Sequence, residues 1–109
     1  MQMISISGTL LVDAEKCVGR NGVSYIRFDV TCPDQDAYGR TIYTHYHCTC
    51  YINGFDQLRK GDQVFISGKF HAKLSVDEKG KPYMNLNIMV YQITAGYRKS
   101  SREPKPIKA

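Results

Sequence analysis

Apolar residues in this chain recur at every second position, which is the spacing of β-strands. The first run places Ile4, Ile6, Leu10 and Val12 at alternating positions, with serine and threonine at most of the positions between them. Successive side chains of a strand point to opposite faces, so this alternation predicts strands with one buried face. The period of two continues along most of the chain and predicts an all-β domain.

Turn signals divide the alternation into five predicted strands, near residues 4–12, 25–32, 40–52, 64–74 and 83–91. Asn21-Gly22 is a strong hairpin signal between the first two strands, and loops are predicted at 33–39 and 77–82. The segment 53–60 has room for a turn or two of helix, with Phe55 and Leu58 as its apolar contacts. Five strands with a short helix between strands 3 and 4 predict a five-stranded OB-fold barrel.

Gly68 interrupts the apolar face of the fourth strand. A glycine inside a strand usually marks a bend, a bulge or a close approach of another backbone, and a small closed barrel needs such a bend. The opposite face of the same strand carries Lys69, His71 and Lys73. A bent strand that is apolar inside and basic outside favours a small barrel that binds a polyanion. The apolar face comprises Val64, Ile66, Phe70, Ala72 and Leu74.

Length and charge limit the organisation of the chain. The 109 residues, 42% of them hydrophobic, predict one domain with one modest core. The net charge is +5, but residues 97–109 contain five basic residues and one acidic residue, which leaves only +1 for the rest. We expect a domain at 1–96 and a disordered basic tail at 97–109. Anion binding must therefore come from the arrangement of charges on the domain, with help from the tail.

The cysteines and the N-terminus predict a protein of a reducing compartment that does not span a membrane. No apolar run spans a membrane and no secretory signal is visible, so the four cysteines are expected as thiols in the cytoplasm. The run from His45 to Cys50 contains two histidines and two cysteines, but strand alternation sends them to opposite faces. They cannot then share one tetrahedral metal ion, so no metal and no cofactor is predicted. Cys48 and Cys50 are expected to pack as small apolar groups.

Several segments resemble the bacterial-type single-stranded DNA-binding protein (SSB) family, over roughly residues 4–92. The strongest match is the run Leu-Arg-Lys-Gly-Asp-Gln-Val-Phe-Ile-Ser-Gly at 58–68. Thr-His-Tyr-His at 44–47 matches a family segment that carries Trp at its third position, and Asp77-Glu78-Lys79-Gly80 with Tyr83 fits a family hairpin. The resemblance implies an OB fold and non-catalytic binding of single-stranded DNA in replication, recombination or repair.

The chain departs from the family pattern at its aromatic positions. It has no Trp, and by the resemblance Tyr46 replaces one stacking Trp, Ile52 a stacking Phe and Ser75 another Trp. The segment before residue 60 is shorter than the family's helix, and the C-terminus is basic where the cellular proteins are acidic. These features indicate a divergent member, of phage, plasmid or mobile-element origin or a primosomal protein of the same superfamily.

Single-strand binding without sequence preference needs cations that follow the phosphates and aromatic faces that stack the bases. Outward positions and loops of the predicted barrel supply both, and the OB groove is lined by strands 2 and 3 with neighbouring loops. Two predictions for the orientation of Tyr46 differ. The composition of the third strand predicts that Tyr46 is buried with Cys48, whereas the resemblance places it in the groove. If it is buried, Tyr43 and Tyr51 become the ligand-facing rings. The predicted nucleic-acid-binding residues are Tyr25, Arg27, Tyr38, Arg40, Tyr46, Ile52, Lys69, His71, Lys73, Lys79 and Lys81.

The expected partners are single-stranded DNA, further copies of the chain in a homodimer or homotetramer, and replication proteins, in a cytoplasmic, nucleoid-associated setting. Exposed Phe65, Met89 and Tyr91 are candidates for the subunit interface. Two alternatives remain open: a primosomal or mobile-element adaptor that uses the barrel mainly for protein contacts, and an RNA-binding OB module. No nucleophile elbow, phosphate-binding glycine loop or metalloprotease motif supports an enzyme.

Overall fold

Every regular element in residues 2–96, the range that the computed structural model describes, is a β-strand. The predicted tail at 97–109 lies outside the described residues. Within them there is no helix long and apolar enough to cross a membrane. The strands are β1 (Gln2–Leu10), β2 (Glu15–Val18), β3 (Ser24–Gln35), β4 (Thr41–Cys50), β5 (Gln63–Val76) and β6 (Pro82–Gly96).

The strands form one mixed sheet that closes into a barrel. Their order is β1-β5-β6-β4-β3-β2, and β1 also pairs with β3 through Thr9–Thr31 and Leu10–Val30. Beyond the end of the β1–β3 pairing, the short strand β2 pairs with β3, so β1 and β2 act as one interrupted strand. Pairing is antiparallel except between β4 and β6, which run parallel. The result is an all-β, five-stranded barrel consistent with the predicted OB fold.

Gly68 lies at a β-bulge, one of the three features that the sequence predicted for this position. The register between β5 and β6 shifts next to it, since Ser67 pairs with Gln92 whereas Gly68 pairs with Val90. The extra residue lies on β6, where the buried positions change from Ile88 and Val90 to the partly buried Ile93. Bulges bend a strand and increase its twist, which helps a short sheet to close.

The core consists of the inward residues of five strands and one loop residue, Leu58. Cys48 and Cys50 are buried in it, which confirms that they pack as small apolar groups. His45 and His47 lie on the opposite, exposed face of β4, as the alternation predicted. The buried apolar residues are Leu10, Ile26, Phe28, Val30, Cys48, Cys50, Leu58, Val64, Ile66, Ile88 and Val90.

The predicted short helix between the third and fourth strands is wrong for the described chain. Residues 51–62 form turns, with Gly54 and Gly61 at positive φ angles of 99° and 91°. Nucleating a helix is costly, and a segment this short cannot recover that cost through propagation. Its expected apolar contacts are nevertheless present, because Leu58 is buried and Phe55 packs against the core.

The inward face of β5 is apolar only as far as the barrel extends. Strand β1 pairs with β5 up to Phe70, and beyond that point β5 pairs with β6 alone. Ala72 and Leu74, expected on the apolar inner face, are therefore exposed on a hairpin arm that has lost its second neighbour. Met84, which pairs with Leu74, is exposed as well.

Candidate nucleic-acid interface

Four strands present a continuous outer surface of polar and cationic side chains. One row across it joins Arg27 of β3, Thr49 of β4, Met89 of β6 and Lys69 of β5 through successive strand pairs. The next row joins Asp29, His47, Asn87 and His71 in the same way. We call these eight residues the outer face. Each of the eight is adjacent in its strand to an inward residue that is buried in the core or packs against it, and this burial sets the outward orientation.

Two shallow depressions make the outer face concave. One, of about 350 Å³, is lined by Arg27, Asp29, His47, Thr49, Asn87 and neighbours on β4 and β6. The other, of about 290 Å³, is lined by Lys69, His71 and Met89 among others. Thr49 and Asn87 line both depressions, so the two form one track across the sheet.

A pair of tyrosine rings lies beyond the Arg27 end of the track. Tyr25 and Tyr51 have ring centroids 5.2 Å apart with an interplanar angle of 40°. Tyr51 is exposed, and both rings line a depression of about 210 Å³ that also contains Lys16 and Ile52. This location brings the predicted Tyr25 and Ile52 together with Tyr51, the ring that the sequence offered as an alternative. Aromatic faces beside a cation are suited to stacking an unpaired base.

The predicted cationic residues differ in whether a carboxylate lies next to their charge. Within residues 2–96, Arg27, Lys69 and Lys73 have no carboxylate within 4.0 Å of their charged nitrogens. By contrast, Arg40 Nε lies 2.9 Å from Asp36 Oδ2. The positive charge of the first three is available to phosphate groups, whereas the Arg40 charge is partly neutralised inside the protein.

The turn between β3 and β4 is fixed by Asp36. Its Oδ1 accepts hydrogen bonds from the backbone N–H groups of Tyr38 and Arg40, at 2.9 and 3.0 Å. The backbone hydrogen bond from Arg40, with help from Tyr38 and the guanidinium, lowers the pKa of Asp36. The Arg40 guanidinium carbon lies 5.3 Å from the centre of the Tyr38 ring, whose side chain is 84% exposed. This predicted aromatic is thus presented to solvent beside a cation.

The turn between β5 and β6 uses the same device. Asp77 Oδ1 accepts from the backbone N–H groups of Lys79 and Lys81, at 2.9 and 2.8 Å. The Gly80 φ angle of 81° and the Gly39 φ angle of 80° are also alike. Both predicted lysines are therefore carried on an ordered, exposed tip, at the end of the strand that carries Lys69, His71 and Lys73 on its outer side.

Tyr46 lies on the inward side of β4. It shares its orientation with Cys48, packs partly buried against the core, and its ring meets that of Phe70 edge-on at 6.3 Å. Burial raises the pKa of its hydroxyl group. This location agrees with the composition of the strand and separates Tyr46 from the Tyr25–Tyr51 pair. Its role in binding stays a prediction.

Asp29 and His47 form a cross-strand pair in the middle of the outer face, and the sequence did not single them out as site residues. His47 Nδ1 donates to Asp29 Oδ1 at 2.8 Å, and the side chains are 52% and 41% exposed respectively. Their outward orientation was readable from the alternation, but their juxtaposition depends on the β3–β4 register. Asn87 joins them only through the parallel pairing of β4 with β6, for which no local signal exists.

The remaining titratable groups give no indication of a metal centre. Among residues 2–96 no three His, Cys, Asp or Glu side chains are grouped so that they could hold a metal ion. Burial raises the pKa of Cys48 strongly, with the nearby Asp29 charge adding to the shift, so its thiol is protonated at neutral pH. A buried protonated thiol is a poor nucleophile and a poor ligand.

Solved structures resemble this barrel, although the sequence itself has no match among family models or curated proteins. A Plasmodium falciparum SSB in complex with single-stranded DNA matches with a TM-score of 0.66 at 13% identity, over 90% of this chain and 95% of the other. A single-stranded DNA binding protein from Thermus aquaticus, in a deletion mutant, matches with a TM-score of 0.63 at 14% identity. That match covers 88% of this chain and half of the Thermus chain. At such identities the likeness establishes the fold.

Proposed function

We propose that this protein binds single-stranded DNA on its outer face, without catalysis and with little dependence on sequence. The observation that carries the proposal is a track that contains Arg27 and Lys69, which have no carboxylate within 4.0 Å in the described part of the chain, and that leads to the Tyr25–Tyr51 ring pair. Phosphates would follow the cations while bases stack on the rings. The SSB structures of the same fold, one of them bound to single-stranded DNA, support this assignment.

The turn tips extend this surface. Lys79 and Lys81 on one tip, and Tyr38 with Arg40 on the other, would contact DNA that leaves the track, and Lys73 continues the β5 cations towards the first tip. The position of Tyr46 against the core favours Tyr25 and Tyr51 over Tyr46 as stacking rings. The basic segment 97–109 would add phosphate contacts through its charge. Replication, recombination or repair is the setting that such an activity serves.

A homodimer or homotetramer completes the proposal, because one small track holds only a short length of strand. Phe65 and Tyr91 are exposed and lie outside the outer face, so they are the favoured subunit contacts. Met89 is also exposed but lies in the middle of the track, where it would contact bases. Light scattering should give a multiple of the 12.4 kDa chain mass, and a clean monomer would remove this part of the proposal.

A titration of labelled oligo-dT at several salt concentrations tests the binding itself. Affinity should fall steeply as salt rises, because neutralised phosphates release their counterions. No binding, or binding that is indifferent to salt, would contradict the electrostatic track. Competition by oligo-U distinguishes the RNA-binding alternative, which would predict that the ribonucleotide displaces oligo-dT efficiently.

One observation supports a second role as an adaptor for other proteins. The arm formed by β5 and β6 exposes Leu74, Val76 and Met84 on the side opposite Lys73. An exposed apolar stripe is a common feature of protein contacts. A pull-down with purified replication proteins, with and without nuclease, separates the two roles. Capture that survives nuclease treatment would favour the adaptor.

A further inference from the structure

The Asp29 carboxylate adds a negative charge to the surface that is proposed to bind phosphates. Its side chain is 41% exposed, and it lies in the outer-face row that contains His47, Asn87 and His71. A carboxylate there repels every phosphate that follows the track. The other charged or titratable groups of the outer face are cations or histidines. The negative charge of Asp29 therefore requires a function other than phosphate binding.

The carboxylate is held in place while both of its oxygens keep lone pairs that can accept further hydrogen bonds. Its Oδ1 accepts from His47 Nδ1 at 2.8 Å, which restricts its rotation. Within the described part of the chain, Oδ2 accepts no hydrogen bond. Bases, unlike phosphates, carry N–H groups, and an oriented carboxylate can accept hydrogen bonds from them.

The surroundings offer space and a matching donor. Asp29 lines the 350 Å³ depression together with Arg27, two residues earlier on the same face of β3. Thr49 and Asn87 form other parts of the wall. The depression is larger than one nucleobase, and it places a carboxylate and a guanidinium on one side of that space.

We propose that this depression is a base-reading subsite that prefers guanine. The Asp29 carboxylate accepts from the N1–H and N2–H groups of the base, and Arg27 donates to its O6. His47 is a positioning residue, which fixes the carboxylate without touching the base. This inference rests on the proposed binding of single-stranded DNA and adds a preference at one position of a surface that otherwise accepts any base.

Guanine is favoured because of the donor pattern on its Watson–Crick edge. It alone carries two adjacent N–H donors, which match the two oxygens of a carboxylate, with an acceptor next to them for the guanidinium. Thymine has one N–H flanked by two carbonyl oxygens, which repel a carboxylate. Cytosine and adenine each offer one amino group beside a ring nitrogen that is an acceptor. Unpaired bases expose these edges in single strands.

Fluorescence anisotropy with a labelled thymidine tract that contains one guanine tests the inference. The reference probes are the same tract with thymine, cytosine or hypoxanthine at that position; hypoxanthine differs from guanine only by the missing 2-amino group. We expect the guanine probe to bind on the order of tenfold more tightly than the thymine probe. The hypoxanthine probe should lose most of that gain.

Matched variants separate base reading from charge and from folding. Asp29→Asn should raise affinity for the all-thymidine tract, because it removes a repulsive charge, and should abolish the guanine preference. Asp34→Asn makes the same charge change on the same strand, at the opposite side of β3, and should keep the preference. His47→Gln should weaken the preference in part.

The outcomes distinguish this inference from the proposed function. Equal binding of all four probes by the wild-type protein would overturn the guanine subsite and leave single-strand binding intact. No binding of any probe would remove both. An Asp29→Asn variant that weakens all probes alike would assign Asp29 a structural role and would also overturn the inference.

Discussion

Gly68 lies so close to the backbone carbonyl of Met89 that a Cβ at residue 68 would overlap its oxygen. The contact occurs at the β5–β6 bulge, within the segment of β5 that pairs with β1 and two residues before that pairing ends at Phe70. The methyl group of Ile88 is also within contact range of that Cβ position. Only a residue without a side chain allows the two backbones to approach in this way.

Gly68→Ala should therefore destabilise the barrel severely. Because the clash is with backbone, which moves only if the strand pairing opens, we expect a loss of about 3 kcal/mol or more. Urea unfolding followed by circular dichroism measures it. Gly96→Ala is the control, since its Cβ would meet nothing closer than Gln63 O at 3.8 Å, and it should change stability by less than about 0.5 kcal/mol. Equal stability of the two variants would contradict the bulge geometry.

Substitutions of tyrosine test which rings stack on bases. Tyr51→Ala should weaken oligo-dT binding by about 1–3 kcal/mol, because it removes an exposed ring of the Tyr25–Tyr51 pair. Tyr46→Leu should leave the affinity nearly unchanged, while it lowers stability through the lost edge contact with Phe70. Anisotropy titrations and thermal melts of both variants give the answer. A Tyr46→Leu variant that loses as much affinity as Tyr51→Ala would instead assign Tyr46 to the binding groove.

The salt dependence of binding should report individual phosphate contacts. Arg27→Gln and Lys69→Gln should each lower the slope of log affinity against log salt by about one contact, roughly 0.7 for a single strand. Arg59→Gln is the matched control, because Arg59 lies in the exposed loop before β5 and is not one of the outer-face residues. Slopes that are unchanged in the first two variants, or lowered equally in all three, would exclude a defined cationic track.

The alternation of residues predicted most of the fold because the barrel has one buried face. Once Ile26, Phe28 and Val30 are buried, Arg27 and Asp29 must face outward, and no long-range information is needed. Gly68 was also interpretable, since a glycine at a buried strand position has few physical explanations. The same rule predicted that Cys48 and His47 would lie on opposite faces of β4, and it also predicted the inward orientation of Tyr46.

The sequence could not predict features that depend on register between distant strands or on where a neighbouring strand ends. The Asp29–His47–Asn87 row requires the parallel β4–β6 pairing, which is set by closure of the whole barrel. Leu74 continues an apolar alternation but is exposed, because β1 ends its pairing at Phe70. The predicted helix failed because Phe55 and Leu58 reach the core from turns, which local spacing does not distinguish from a single helical turn.

Burial of Cys48 makes stability depend on alkaline pH. Its folded pKa is raised above the ordinary thiol value of about 9, so the folded state disfavours the thiolate. The stabilising effect is complete below that value and is lost progressively as the pH rises above it. The free energy of unfolding should therefore fall between pH 9 and 10.5 more steeply in the wild type than in Cys48→Ala. Parallel curves for the two proteins would contradict this assignment.

The central claim is that single-stranded DNA lies on the outer face, and amide chemical-shift mapping tests it most directly. A ¹⁵N-labelled sample titrated with short oligo-dT should show its largest shifts at Tyr25, Arg27, Thr49, Lys69 and His71. The outward residues of β1, such as Ser5 and Ser7, should change little. Shifts concentrated on β1, or a spectrum that does not change at saturating oligo-dT, would contradict the claim.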